Sequence, residues 1–403
     1  MGSLLDKGPT LCRSIAPDPE SIGVTPCRII GAVAVLQRVG TALGVGIGAG
    51  AAGIGWFYST VLLDPTPRPE YPELVVASDA TSIVLAATRL TSQPGTWGLR
   101  WPEGLAAVGP VTGTRPGAVV RSRLGGPIPA PGTAVQLDTV PFDPDPGAVG
   151  LAFADVEIAT EVGPCPAWEV PAAGASRADT WVVLVHGRGG SRREALRVLP
   201  TLHARGFSAL AITYRNDVEA PRSPDGHYHL GDTEWTDLEA GVRHAVAHGA
   251  RRIVLFGWSM GGAIIGAFLD RSPLAAQVAA VVWDAPLVDW RATLRQQARN
   301  RRLPPGLTPL ATTFASRRIG IDFDRFDLLR HPPTVRPPTL LIHSTEDTAV
   351  PVGPSRALAA AAPTLDWPMQ YIEVLGVEHT GSWNAAPAAY EQALDQFLLA
   401  VLR

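Results

Sequence analysis

From Val39 to Leu63 the chain runs without a charge, VGTALGVGIGAGAAGIGWFYSTVLL. A helix over that run would be roughly 37 Å long, enough to cross a bilayer with some tilt. Its glycines lower the helix propensity, but Gly40, Gly44 and Gly48 repeat at the small-xxx-small spacing that lets two membrane helices approach. Trp56, Phe57 and Tyr58 fall where an interfacial aromatic belt would lie. The pattern predicts one transmembrane helix at 39–63 behind a disordered tail at 1–38, with a helix-mediated homodimer as one expected partner. A signal peptide would begin nearer the N-terminus, and a glycine-rich soluble linker is the competing reading. Arg28 and Arg38 precede the run, whereas Asp64, Glu70 and Glu73 dominate after it despite Arg68. The positive-inside tendency then makes this a single-pass protein with everything after Leu63 extracytoplasmic.

Between residues 64 and 150 short β-like runs (Leu74–Val76, Ser82–Ala87, Thr133–Leu137) are separated by Pro and Gly turn signals. They predict a small β-rich domain or appendage. From about 151 the texture changes. WVVLV (181–185), ALAIT (209–213), IVLF (253–256), VAAVVW (278–283), TLLI (339–342) and QYIEV (370–374) are apolar runs of strand length. Helical patterns at 192–204, 233–248, 261–270, 354–361 and 387–402 lie between most of them. That alternation predicts an α/β domain over 151–403, a mostly parallel sheet with helices on both faces. Residues 291–338 break the rhythm and read as a lid-like insertion, apolar residues mixed with an arginine run.

Hydrophobic residues at 46% and charged residues at 18% exclude disorder for the bulk of the chain. A net charge of −3 gives no basic field for nucleic acid. Three cysteines, Cys12, Cys27 and Cys165, are too few for a disulfide framework and match no zinc spacing.

The chemistry concentrates in the α/β region. Gly257-Trp258-Ser259-Met260-Gly261 follows the strand RRIVLF and opens the helix GGAIIGAFL, the strand–turn–helix setting a nucleophile elbow requires. The hydroxyl of Ser259 is then held at a helix N-terminus, where amides and the helix dipole favour developing negative charge. His186-Gly187-Arg188-Gly189-Gly190 follows WVVLV, where an oxyanion loop belongs, so the backbone amides of Arg188 and Met260 are the expected donors. His186 itself reads as a structural hydrogen-bonding residue. Asp347, after the strand TLLI, is the acid candidate, with Asp284 and Glu346 as alternatives. His379, after the last strand, is the base candidate.

The order Ser259, Asp347, His379 is that of the α/β-hydrolase fold. Together with YRND (214–217), SPDG (223–226) and LGDTEWTDLEAGV leading into FGWSMGG, it makes residues 151–403 resemble an α/β-hydrolase. The resemblance is to membrane-tethered bacterial serine hydrolases related to esterases and to prolyl-oligopeptidase-type catalytic domains. It implies a serine hydrolase that cleaves a carboxylic ester or thioester through an acyl-enzyme on Ser259. A small-molecule or lipid-like acyl compound would be its substrate, and no cofactor or metal would be needed. A peptidase, an acyltransferase or a silent binding module of the same fold are the rival readings. A peptidase of the related type would bring a larger N-terminal propeller, for which the β region is too short.

Other constellations read as structure. His244 and His248 lack a third metal ligand, His227 and His229 flank Tyr228 in a loop, and Gly44-x-Gly46-x-Gly48 has no strand–turn–helix frame for a dinucleotide. Trp97 and Trp101 in WGLRW read as packing around an arginine stem. Arg291, Arg295, Arg299, Arg301 and Arg302 form a solvated helix face or a contact for anionic head groups.

Overall fold

The computed structural model describes residues 53–66, 70–174, 177–304 and 306–402. All lie in one compact unit, Ala52–Arg403. The tail at 1–38, the glycine repeat at 40–48 and the rest of the charge-free run up to residue 52 lie outside the described residues.

Two strand assemblies make up the unit. The first is a closed six-stranded barrel of β1 (Glu73–Ser78), β2 (Ser82–Ala86), β3 (Trp97–Trp101), β4 (Gly104–Arg115), β5 (Ala118–Gly125) and β6 (Ala134–Asp138), in the order β1-β2-β5-β4-β3-β6. Closure leaves no unpaired edge. Val75, Leu85, Leu99, Val108 and Val135 fill the interior with Trp97 and Trp101, so the WGLRW tryptophans do pack, and Arg100 between them pairs with Asp138 at 2.9 Å.

The second assembly is an eight-stranded sheet in the order β14-β13-β12-β11-β9-β10-β8-β7. Its members are β7 (Ala154–Thr160), β8 (Gly163–Val170), β9 (Thr180–Val185), β10 (Ser208–Ile212), β11 (Arg252–Trp258), β12 (Val278–Asp284), β13 (Thr339–Ser344) and β14 (Met369–Val374). From β10 to β14 every pairing is parallel, while β7 and β8 add an antiparallel hairpin at one edge that hydrophobic runs alone did not mark. Its exposed residues, such as Glu157 and Pro164, break the apolar pattern.

Because side chains alternate along a strand, each central strand feeds two cores. On β9, Trp181, Val183 and Val185 join one core with Leu238 of α3 (Glu234–Ala247) and Ile264 of α4 (Met260–Arg271). Val182 and Leu184 join the other with Leu199 of α2 (Leu199–Ala204) and Phe397 of α9 (Pro387–Val401). The helix predicted at 192–204 is shorter than expected: residues 192–197 form a 3₁₀ segment and only α2 is α-helical.

The lid region folds as α5 (Trp290–Asn300) and α6 (Leu307–Ile319). Of the expected 39–63 span, only residues 53–63 fall within the described residues. Residues 53–63 form a helix, α1, that packs against α6 and the core of the α/β sheet. Leu63 is fully buried, Arg318 of α6 donates to Ser59 Oγ at 2.9 Å and Thr60 Oγ1 at 2.8 Å, and its guanidinium lies over the Trp56 ring. Gly55 lets the ring of Phe314 come close: a Cβ there would lie 2.9 Å from Phe314 Cδ2. Among the described residues no helix is long and apolar enough to cross a membrane.

Candidate active site

Ser259 sits between β11 and α4 in a strained conformation, φ 51° and ψ −116°. The turn is possible because its neighbours lack side chains. A Cβ on Gly261 would overlap the Val185 carbonyl oxygen on β9, and one on Gly257 would lie 2.6 Å from Ile265 Cδ1. The turn points Ser259 Oγ at His379, whose Nε2 lies 2.8 Å away. The other ring nitrogen, Nδ1, meets Asp347 Oδ2 at 2.6 Å. Three residues separated by 88 and 32 positions of chain are thus brought into one hydrogen-bonded line.

Asp347 is held on both oxygens. Its Oδ1 accepts from the amides of Ala349 and Val350, both at 2.8 Å, and His343 Nε2 stands 3.2 Å from Oδ2. Burial opposes its charge, yet His379 and His343 outweigh burial and hold the carboxyl well below the usual range. The same balance acts on His379. Burial disfavours the charged ring, but the Asp347 carboxylate raises its pKa above the ordinary value, with Glu194 and Asp284 adding to that. An imidazole hydrogen-bonded to a hydroxyl on one side and a carboxylate on the other can take that hydroxyl's proton.

The rival acids go elsewhere. Asp284 is fully buried, accepts from the Tyr390 hydroxyl at 3.0 Å and is pushed up by that burial, while Glu346 is exposed. His186 is structural, bonded to Asp217 at 2.8 Å and stacked on Tyr214. Met260 N–H, as the first amide of α4, has no partner within its helix. Gly187 lies against Ser259, where a Cβ would come within 3.0 Å of the serine's own, so the loop carrying Arg188 borders the same point.

His343 escaped the sequence reading, although its place in HSTED, four residues before Asp347, was a signal for it. Lid residues escaped it too. Gln296, Gln297 and Asn300 of α5 donate to the carbonyls of Asp347, Ala349 and Thr348 at 3.1, 2.8 and 2.7 Å, tying the lid to the acid's loop. His244 bonds Glu169 and stacks on His248, and among the described residues no group of side chains is arranged to hold a metal.

An apolar cavity of about 310 Å³ opens over Ser259 and His379. Its walls come from α1 (Tyr58, Leu62), α5 (Leu294) and α6 (Leu307), with Leu303 between the last two. A larger cleft of mixed lining, about 870 Å³, lies between the barrel and the 187–194 loop, with Arg100, Asp138, Arg193 and Glu194 among its polar residues. The two cavities meet at Val61 and Arg188.

That geometry sits within a recognisable lineage. Residues 203–403 match the prolyl oligopeptidase family. Residues 74–138, the barrel, match a domain of unknown function, DUF8805. None of the curated proteins matches this chain in sequence. Among solved structures, the Pyrococcus furiosus esterase Pf2001 superposes with a TM-score of 0.51 at 21% identity, over 65% of this chain and 97% of its own. A second crystal form of it gives 0.51 and 22%, over 65% and 96%. An esterase of Thermogutta terrifontis gives 0.45 at 19%, over 62% and 99%. The Pf2001 likeness is one of fold, and it agrees with the prolyl oligopeptidase-family assignment: this is an α/β-hydrolase fold, and the family is one of hydrolases.

Proposed function

We propose that the protein is a serine hydrolase that cleaves carboxylic esters or thioesters. The reading rests on one observation above all, the 2.8 Å contact of Ser259 Oγ with His379 Nε2 at the floor of an apolar cavity. Ser259 attacks the acyl carbonyl as His379 takes its proton, and Asp347 orients and stabilises the imidazolium. The amides of Arg188 and Met260 receive the oxyanion. As the tetrahedral intermediate collapses, the carbonyl–heteroatom bond breaks and the departing alcohol or thiol takes the proton from His379. Water then attacks the acyl-enzyme by the same route reversed. The acyl chain lies along the apolar cavity, and the larger cleft on the far side of Arg188 receives the leaving group.

The family match supports a second reading, a peptidase. Turnover of p-nitrophenyl esters of graded chain length against a prolyl p-nitroanilide separates them. Ester cleavage abolished in Ser259→Ala supports the first reading; anilide cleavage without ester cleavage overturns it.

We propose further that the enzyme works at a membrane, its catalytic unit extracytoplasmic. Ile54, Trp56 and Phe57 of α1 and Leu310 of α6 are exposed near the cavity, with Arg301, Arg302 and Arg317 also on the surface. Apolar anchors ringed by cations suit an anionic lipid surface. Full-length protein found in the soluble fraction after lysis, and failing to sediment with anionic vesicles, overturns this reading.

A further inference from the structure

We infer that the six-stranded barrel is a positioning element of the reaction: through Gln93 and Arg89 it holds the loop that carries His379. The inference rests on the reading of Ser259 and His379 as a reacting pair.

The loop from Glu378 to Asn384 has a tight turn bond of its own, Gly381 N–H to the Glu378 carbonyl at 3.0 Å, and Arg197 donates to its Thr380 carbonyl at 2.8 Å. Thr380 has a left-handed backbone conformation (φ 54°), and only the four-residue α8 (Ser382–Ala385) follows. Both of its ends are also tied to the barrel and the loops beside it. Glu378 N–H donates to Gln93 Oε1 at 2.9 Å, and the Glu378 carboxylate pairs with Arg89. The same carboxylate accepts from Thr348 N–H at 3.1 Å, so the Arg89 contact bears on the acid's loop as well. At the other end, Thr96 N–H donates to the Asn384 carbonyl at 2.9 Å. Asn384 Nδ2 returns bonds to the carbonyls of Thr96 and Thr139 at 2.7 and 2.8 Å. Between them the Trp97 ring lies against Gly381, where a Cβ would come within 2.8 Å of it. The histidine is gripped on both sides.

The grip is itself anchored. Gln93 and Arg89 lie on the β2–β3 loop, and that loop is pinned by Arg121 of β5, fully buried in the barrel. Its guanidinium donates to the carbonyls of Thr91 (3.1 Å), Gly95 (3.2 Å), Gly109 (2.7 Å) and Gln93. Bonds from a charged donor are among the stronger ones, and three of the four go to this loop while the fourth ties the arginine to Gly109 of β4, which leaves the loop few alternatives. The Gln93 side-chain amide also donates to the Arg89 carbonyl at 3.2 Å, which fixes its acceptor end toward Glu378. Neither residue lines the apolar cavity, so loosening the grip displaces the base and spares the acyl site.

The test compares Gln93→Met, Gln93→Glu and Arg89→Ala with Leu124→Ala, a change at an exposed position of β5. The readouts are kcat and KM for p-nitrophenyl acetate and the rate at which a fluorophosphonate labels Ser259. Gln93→Met is expected to lower kcat and labelling rate on the order of tenfold at unchanged KM, the scale of a misplaced catalytic group. Gln93→Glu recovers only part of that, since its oxygen still accepts the Glu378 N–H but it has no N–H for the Arg89 carbonyl. Arg89→Ala, at an exposed side chain that does not endanger the fold, loses roughly two- to threefold, the scale of a partly screened ion pair. Leu124→Ala behaves as wild type. Wild-type kcat and labelling in both Gln93→Met and Arg89→Ala, or losses confined to KM, overturn the barrel's role. If Gln93→Met fails to fold, Arg89→Ala decides alone. A wild-type enzyme that takes no label and cleaves no ester overturns the parent reading instead, and this one with it.

Discussion

Ser259 and His379 face each other across 2.8 Å, yet they are held in opposite ways. The serine stands on a turn whose needs are met within its own sheet: β11 before it, α4 after it, and two glycines that let β9 and Ile265 close in. The histidine stands on a loop whose bonds reach Gln93, Thr96 and Thr139 in and beside the barrel and Arg197 near α2, which donates to Thr380 O at 2.8 Å. The comparison teaches that the nucleophile's position is a local property of one strand–turn–helix, whereas the base's position belongs to the whole assembly. A change near the serine should therefore act on folding, and a change near the histidine on turnover.

The largest effects concern the reacting groups. Ser259→Ala should lower ester turnover by at least about ten-thousandfold, and Asp347→Asn by a similar factor while Asp284→Asn retains most activity. Equal losses in the two aspartate variants would contradict the arrangement around His379. Next comes the comparison itself. Gly261→Ala forces a methyl into the Val185 carbonyl and should cost about 3 kcal/mol or more, read as a lowered urea midpoint. Gly381→Ala meets the Trp97 ring at 2.8 Å and the Glu378 carbonyl at 3.0 Å, a milder clash, and should lower the midpoint less than Gly261→Ala while lowering kcat roughly tenfold. Reversal of those two outcomes would break the contrast.

A smaller effect is a shift in pH. The reaction needs His379 neutral, and Asp347 holds its proton to a higher pH than a free imidazole would. The rise of kcat/KM with pH should then have its midpoint above the ordinary value of about 6.5, and the residual activity of Asp347→Asn should rise at lower pH. Smallest is the chain-length profile. Each methylene buried in the cavity is worth ~0.8 kcal/mol, about a fourfold step in kcat/KM, and Leu294→Ala should flatten that series without changing acetate turnover.

Much of this was legible from the chain. Strand–helix alternation from Thr180 onward predicts the parallel sheet because doubly buried strands must be apolar on both faces. Ser259, Asp347 and His379 were nameable because each follows a strand, and strand ends are where loops converge. The barrel's closure was not legible: its runs are short, and which strands pair is settled by contacts between segments as distant as β1 and β6. His343 was hidden in a strand, and Gln93 in a turn-rich stretch without any motif.

Sequence alone determined the α/β order, the strained turn at Ser259 and the candidate acid and base, because these depend on local periodicity and on glycines within a few positions. Tertiary structure decided the rest. It chose Asp347 over Asp284 by which carboxylate reaches Nδ1 and which is sealed behind Tyr390. It also made residues 53–63 a wall of the cavity, with Arg318 and Arg188, far away in the chain, donating to that helix's hydroxyls and to carbonyls at its end. Hydropathy is a property of a segment; what covers the segment is a property of the fold.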